Sequence, residues 1–116
     1  DVEYVTIFQN IRASRKERQH AEGIIQSEEN TVSIGKNGGP YMYCRMSDIY
    51  GKVVEVTVLG EATSAIEWEA GQFVEVFNAT VDFEKKKLIV GNDALVCDRS
   101  EAFMVPFPEV FDDVQW

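Results

Sequence analysis

From residue 21 to residue 96, apolar and polar positions alternate with a period of two in one run after another, the pattern of half-buried strands rather than helices. In 40–48 (PYMYCRMSD), Met42, Cys44 and Met46 fall on one side and Tyr41, Tyr43 and Arg45 on the other. In 52–59 (KVVEVTVL) the apolar side is Val54, Val56 and Val58, with Glu55, Thr57 and Leu59 facing away. Residues 72–81 (QFVEVFNATV) place Val74 and Val76 inward and Glu75 and Phe77 outward. Residues 21–27 (AEGIIQS) and 87–96 (KLIVGNDALV) complete a set of five expected strands.

The breaks between these runs are equally legible. Gly35, Gly38, Gly39 and Pro40 make 28–39 a long, mobile loop, and 48–51 (DIYG) forms a tight turn. Residues 62–70 (ATSAIEWEA) are the one convincing helix, stopped by Gly71, although Ile66 and Trp68 cannot face the same way on it. One of the two is therefore expected near its end. Residues 82–87 (DFEKKK) form the last loop. Strand, long loop, strand, turn, strand, helix, strand, loop, strand is the order of the OB-fold, an all-β, five-stranded Greek-key barrel with a short helix between strands 3 and 4. A small immunoglobulin-like sandwich is the alternative, but it has no helix at that place. The barrel is expected over 20–100. Residues 1–19 form a segment that packs on it or leads into it, with a short strand or helical turn over 4–11. Residues 101–116 form an acidic-aromatic extension interrupted by Pro106 and Pro108.

A chain of 116 residues with 45% hydrophobic content fits one globular domain with a modest core. No apolar run approaches the roughly 18–20 residues of a membrane span, and no signal-peptide pattern opens the sequence. A start at Asp1 rather than Met is expected of a piece cut from a longer chain. Cys44 and Cys97, in alternating apolar contexts without C-x-x-C spacing, are expected to be buried thiols. His20 stands in a charged connector, the acids are scattered, and Ser33, Ser47 and Ser64 lack a G-x-S-x-G context. No P-loop is spelled either. An enzyme, a metal and a cofactor are therefore not expected.

The net charge of −9 argues against a nucleic-acid partner until its distribution is considered. Arg12, Arg15, Lys16 and Arg18 form one basic cluster, Lys85, Lys86 and Lys87 another, with Lys36, Arg45 and Lys52 between. From Val53 to Glu84 there is no Lys or Arg. An acidic molecule of this kind can still present one basic face.

The run YMYCRMSDIYGKVVEVTVLGE resembles the second and third strands of OB domains in the replication protein A large subunit, and is similar to the protection-of-telomeres and telomere end-binding proteins. GQFVEVFNATV resembles the family's fourth strand. The resemblance spans about 20–105. It implies a nuclear protein that binds single-stranded DNA, including a telomeric repeat, alongside other OB-fold subunits. The ligand would lie across strands two and three, with the loops 28–39 and 82–87 folding over it. The sequence departs from the pattern at Leu59, where replication protein A has a stacking aromatic, and at Glu55, where it has a basic residue.

The residues that carry this chemistry can be named. Stacking a base on an aromatic ring contributes about 1–3 kcal/mol, and phosphates require Lys or Arg. Tyr41, Tyr43 and Arg45, about 6.5–7 Å apart along one strand face, match a stretched single strand. The alternative is that the two rings only cover the barrel or pack on the N-terminal segment. Phe77 is a second stacking candidate or a core residue. Phe83 beside Lys85, Lys86 and Lys87 suits a clamp, unless the run is only a solvated turn. Lys36 and Asn37 in the glycine-rich loop, and Thr57 on the third strand, complete the set. The rival reading is an OB-fold protein–protein interaction module of a multi-subunit complex that uses the acidic-aromatic tail. An RNA-binding barrel of the anticodon or cold-shock type is weaker, since cold-shock-like aromatic motifs are missing.

Overall fold

The computed structural model describes residues 18–27, 30–47 and 51–101, and the backbone of 112–113. Among them are β1 (Arg18–Ile25), β2 (Ser33–Ile34), β3 (Pro40–Ser47), β4 (Lys52–Leu59), β5 (Phe73–Asp82), β6 (Lys87–Val90), β7 (Leu95–Asp98) and β8 (Asp112–Asp113). β1 pairs antiparallel with β3 and β5, β3 with β4, and β5 with β6. β6 then returns parallel to β4, so the circuit β1–β3–β4–β6–β5 closes into a five-stranded barrel.

The alternation read from the sequence fills its interior. Met42, Cys44 and Met46 of β3 and Val54, Val56 and Val58 of β4 point inward, with Ile25, Val74, Val76, Leu88 and Val90, none more than 4% exposed. Each such side chain contributes about 1.5–3 kcal/mol by leaving water. A slip of one residue would turn Tyr43 and Arg45 into this interior, so the apolar pattern fixes the β3–β4 register.

Four local expectations are corrected. β1 begins at Arg18, so His20 lies on a strand and not in a connector. The loop 28–39 contains β2, which pairs Ser33 with Tyr41 and Ile34 with Pro40. Its hairpin is closed by the Gly35 N–H donating to Gly39 O (2.8 Å), and Gly38, at φ +82°, turns the chain where a side chain would be strained.

The helix expected over 62–70 is a five-residue 3-10 helix, Gly60–Ser64. On a longer helix Ile66 and Trp68 would sit about 200° apart and could not both reach the barrel. The backbone instead leaves helical geometry, and Trp68 takes φ 56°. Its indole is buried, with the N–H donating to Ala62 O (2.9 Å), while Ile66 packs against the core from the edge. The Asn30 amide donates to Trp68 O (2.6 Å) and holds the turn from the other side.

The single fifth strand expected over 87–96 is divided into β6 and β7 by a turn in which the Ala94 N–H donates to Gly91 O (3.1 Å). β6 pairs with Thr80–Asp82 of β5 and β7 with its Val74–Phe77 half. Between these halves β5 carries a bulge, with Asn78 at φ 64°, and one straight strand cannot follow both sides of the bend. β8 pairs parallel with Lys52 and Val53 of β4. The segment 1–17, with Arg12, Arg15 and Lys16, the turn residues 48–50, and the tail residues 102–111 and 114–116 lie outside the described residues.

Candidate nucleic-acid interface

The outer face of β3, β4 and β6 is organised in rows set by strand register. Arg45, Glu55 and Lys87 stand side by side in one row, and Tyr43, Thr57 and Ile89 in the next. Tyr41 and Leu59 form a third. Arg45 is anchored through its backbone N–H, which donates to Ser27 Oγ (3.0 Å), and the Ser27 hydroxyl donates in turn to Asn30 Oδ1 (2.6 Å). Ser27, Tyr43, Arg45, Glu55, Thr57 and Lys87 line a groove of about 280 Å³.

Tyr43 is 64% exposed, a large ring left in water on a sheet face. Tyr41 is half-buried and meets it edge-on, ring centroids 5.5 Å apart. Thr57 also points outward yet is 8% exposed, because it lies between Tyr43 and Ile89 and forms the groove floor. Among the described residues, none of Arg45, Glu55 and Lys87 forms an ion pair. Two cations and one carboxylate therefore face the groove with their bonding capacity unspent. Beneath them burial pushes the Cys44 thiol up to about 12, so it is inert packing with no thiolate chemistry.

The remaining sequence-predicted residues divide. Lys85 and Lys86 are exposed in the four-residue turn that leads into Lys87, at the Arg45 end of the groove. The turn is braced by the Lys85 N–H donating to Asp82 Oδ1 (2.9 Å). Phe83 is half-buried against the barrel core instead of standing over the groove as a clamp. In so short a turn its ring reaches the apolar interior more readily than the open face. Lys36 and Asn37 sit at the tip of the β2–β3 hairpin, beyond the Tyr41 row and about 20 Å along β3 from Arg45. The Asn37 side chain accepts from the Gly39 N–H (3.2 Å), a bond within its own turn. Phe77 is outward and 38% exposed, but β5 is separated from β3 by β1 and from β4 by β6. It stacks on His20 (4.8 Å, 26°) on another face and does not join the groove.

Ser27 enters the groove without having been expected there, whereas Glu55 was expected on this face and its place beside Lys87 is new. The bend after β1 that brings Ser27 to Arg45 has no periodic signal, and the parallel β4–β6 register that sets Glu55 beside Lys87 joins residues 32 positions apart. Cys97, expected buried, is half-buried on the outer side of β7. Among the described residues no helix is long and apolar enough to cross a membrane.

No protein-family model and no curated protein matches the sequence. Solved structures do. The OB domain of Ta0387 from Thermoplasma acidophilum aligns over 92% of this chain and 88% of its own, with TM-score 0.56 and 14% identity. This chain has the OB fold. A replication protein A heterotrimer bound to single-stranded DNA aligns over 94% of this chain and 26% of that one (TM-score 0.61, 13% identity). The Ifi202 HINa domain in complex with a 20-bp duplex DNA aligns over 78% and 45% (TM-score 0.61, 11% identity). This OB barrel thus spans less than half the length of those two chains, and at such identities the likeness carries the fold alone. Within that fold, β3 and β4 occupy the places of OB strands two and three, the face on which OB barrels hold oligonucleotides and oligosaccharides.

Proposed function

We propose that this OB barrel is a binding module, not an enzyme, that takes single-stranded DNA across β3, β4 and β6. The observation that carries the reading is the exposed Tyr43 ring beside two unpaired cations, Arg45 and Lys87, on one groove. A base freed from pairing stacks on Tyr43 and gains about 1–3 kcal/mol. Arg45 and Lys87, with Lys85 and Lys86 at the groove's end, neutralise the phosphates on either side. Thr57 and Glu55 face base edges. The likeness to a replication protein A heterotrimer bound to single-stranded DNA supports the choice of ligand. The setting proposed is a nuclear genome-maintenance or telomere end-binding protein, with other OB-fold subunits as neighbours.

The rival reading, an interaction module whose tail docks on a partner, is weakened at one point. The backbone of Asp112 and Asp113 is already paired with β4 of its own barrel.

Fluorescence anisotropy on labelled poly-T, a G-rich telomere-type repeat, its C-rich complement and duplex DNA, at two salt concentrations, tests the proposal. Single strands are expected to bind well above duplex. Tyr43→Ala should weaken binding about 5- to 150-fold at every salt, and Lys87→Ala should flatten the salt slope by about 0.7. Phe77→Ala, on the other face, should leave binding unchanged. Preference for one repeat strand would mark a telomere-end reader. Duplex bound as tightly as single strands, or no binding at low salt, sinks the proposal.

A further inference from the structure

We propose that His20, Glu22 and Glu75 form a second site, for a divalent transition-metal ion of the Zn²⁺ class, on the β1–β5–β7 face away from the groove. His20 and Glu22 lie two residues apart on β1, on the same side of the strand, and Glu75 is the register partner of Glu22 on β5. One donor atom from each of the three lies within 4.8 Å of the others. His20 Nε2 is 2.8 Å from Glu75 Oε2 and 3.6 Å from Glu22 Oε1. A tetrahedral ion bonded at about 2.1 Å sets its ligands about 3.4 Å apart, which these side chains reach by small rotations.

Two features hold the donors in place. The β5 bulge leaves Phe77 and Asn78 opposite His20, and the Phe77 ring stacks on the imidazole (4.8 Å, 26°) and fixes its plane. Arg99 Nε donates to Glu75 Oε1 (2.9 Å), which leaves Oε2 turned toward His20, an outer-shell partner orienting a ligand. Charge also favours a cation: two carboxylates against one guanidinium leave a local charge of −1. Cys97, paired with Glu75 across β7, places a soft thiol beside the set.

An imidazole nitrogen with carboxylate oxygens suits Zn²⁺ and its neighbours rather than Ca²⁺ or Mg²⁺, which take oxygen ligands. The ion would replace the hydrogen bond between His20 Nε2 and Glu75 Oε2, with the ring N–H carried on Nδ1. The site stands on these residues and not on the DNA-binding reading.

Isothermal titration of Zn²⁺ alone into the full chain tests it. Saturable 1:1 binding is expected, together with a shift of the His20 ring resonances by NMR. His20→Asn and Glu22→Gln should each weaken binding at least about ten-fold, while Glu84→Gln, remote from the site, should not. All three positions are at the surface, and circular dichroism checks that each variant is folded. Absence of saturable binding overturns the proposal. So does binding that survives both His20→Asn and Glu22→Gln, or that is lost only in Cys97→Ser.

Discussion

A single carboxylate, Glu55, sets the character of the groove. It stands between Arg45 and Lys87 in one cross-strand row and is paired with neither. Against a phosphate it repels, and against the amino groups of cytosine or guanine it accepts. Glu55→Gln is therefore expected to tighten binding to poly-T about five-fold, near 1 kcal/mol of relieved repulsion, and to reduce the preference for C- or G-bearing strands. Competition anisotropy with the two oligonucleotide classes reads both effects. Glu75 gives a pH prediction. Burial pushes its carboxyl up, but the Arg99 and His20 hydrogen bonds outweigh burial and hold it below its ordinary 4.5. Its stabilisation is fully present above that value and is lost as pH falls below it, through the lowered native value. In metal-free buffer, Glu75→Gln should melt below the wild type at pH 7, and thermal scans should show the gap closing below about pH 4. At this scale the sequence told which side chains point outward, as at Tyr43 and Arg45. It did not tell where around the barrel each outward side chain lies. Period-two alternation separates inside from outside only, so Phe77 could not be distinguished from a groove residue.

Among the elements, the strands were legible because their apolar positions repeat strictly, and the departures fall where a local rule met a packing demand. The segment 62–70 has helical composition, but the barrel end must take both Ile66 and Trp68, and burial prevailed over propensity. Trp68→Ala should cost about 3–5 kcal/mol in urea unfolding, since it empties a fully buried indole site and leaves Ala62 O with the Ala65 N–H alone. Gly60 is a narrower test. It takes φ +61° and lies where any Cβ would strike the Asn92 side chain, whose Oδ1 accepts from the Glu61 N–H (2.9 Å). Gly60→Ala should lose at least about 1–2 kcal/mol from the backbone conformation alone, read by the same unfolding curves. The division of 87–96 into β6 and β7 had a trace in its Gly-Asn-Asp centre, but its cause is the bulge in a different strand, which only the pairing reveals.

For the whole molecule, a net charge of −9 and a basic groove are compatible because charge acts over about a Debye length, some 8–10 Å, and not over the full 44 Å of the long axis. With Arg45, Lys85, Lys86 and Lys87 as the phosphate contacts, log K against log salt for a single strand should fall with a slope of about −3, measured by anisotropy across a salt series. A slope near zero would mean that the cations do not touch the strand. The closing seam of the barrel also bears on how the protein comes together. Only four residues separate β3 from β4, which can meet within microseconds, but the parallel β4–β6 seam joins Glu55 to Lys87 only after β5 has crossed the barrel. That seam is expected to form late in folding and to open early in local unfolding. Because the ligand face spans the seam, a bound strand would act as a clasp across it. Amide exchange in β6 should then slow on binding more than in β1, which the ligand does not touch.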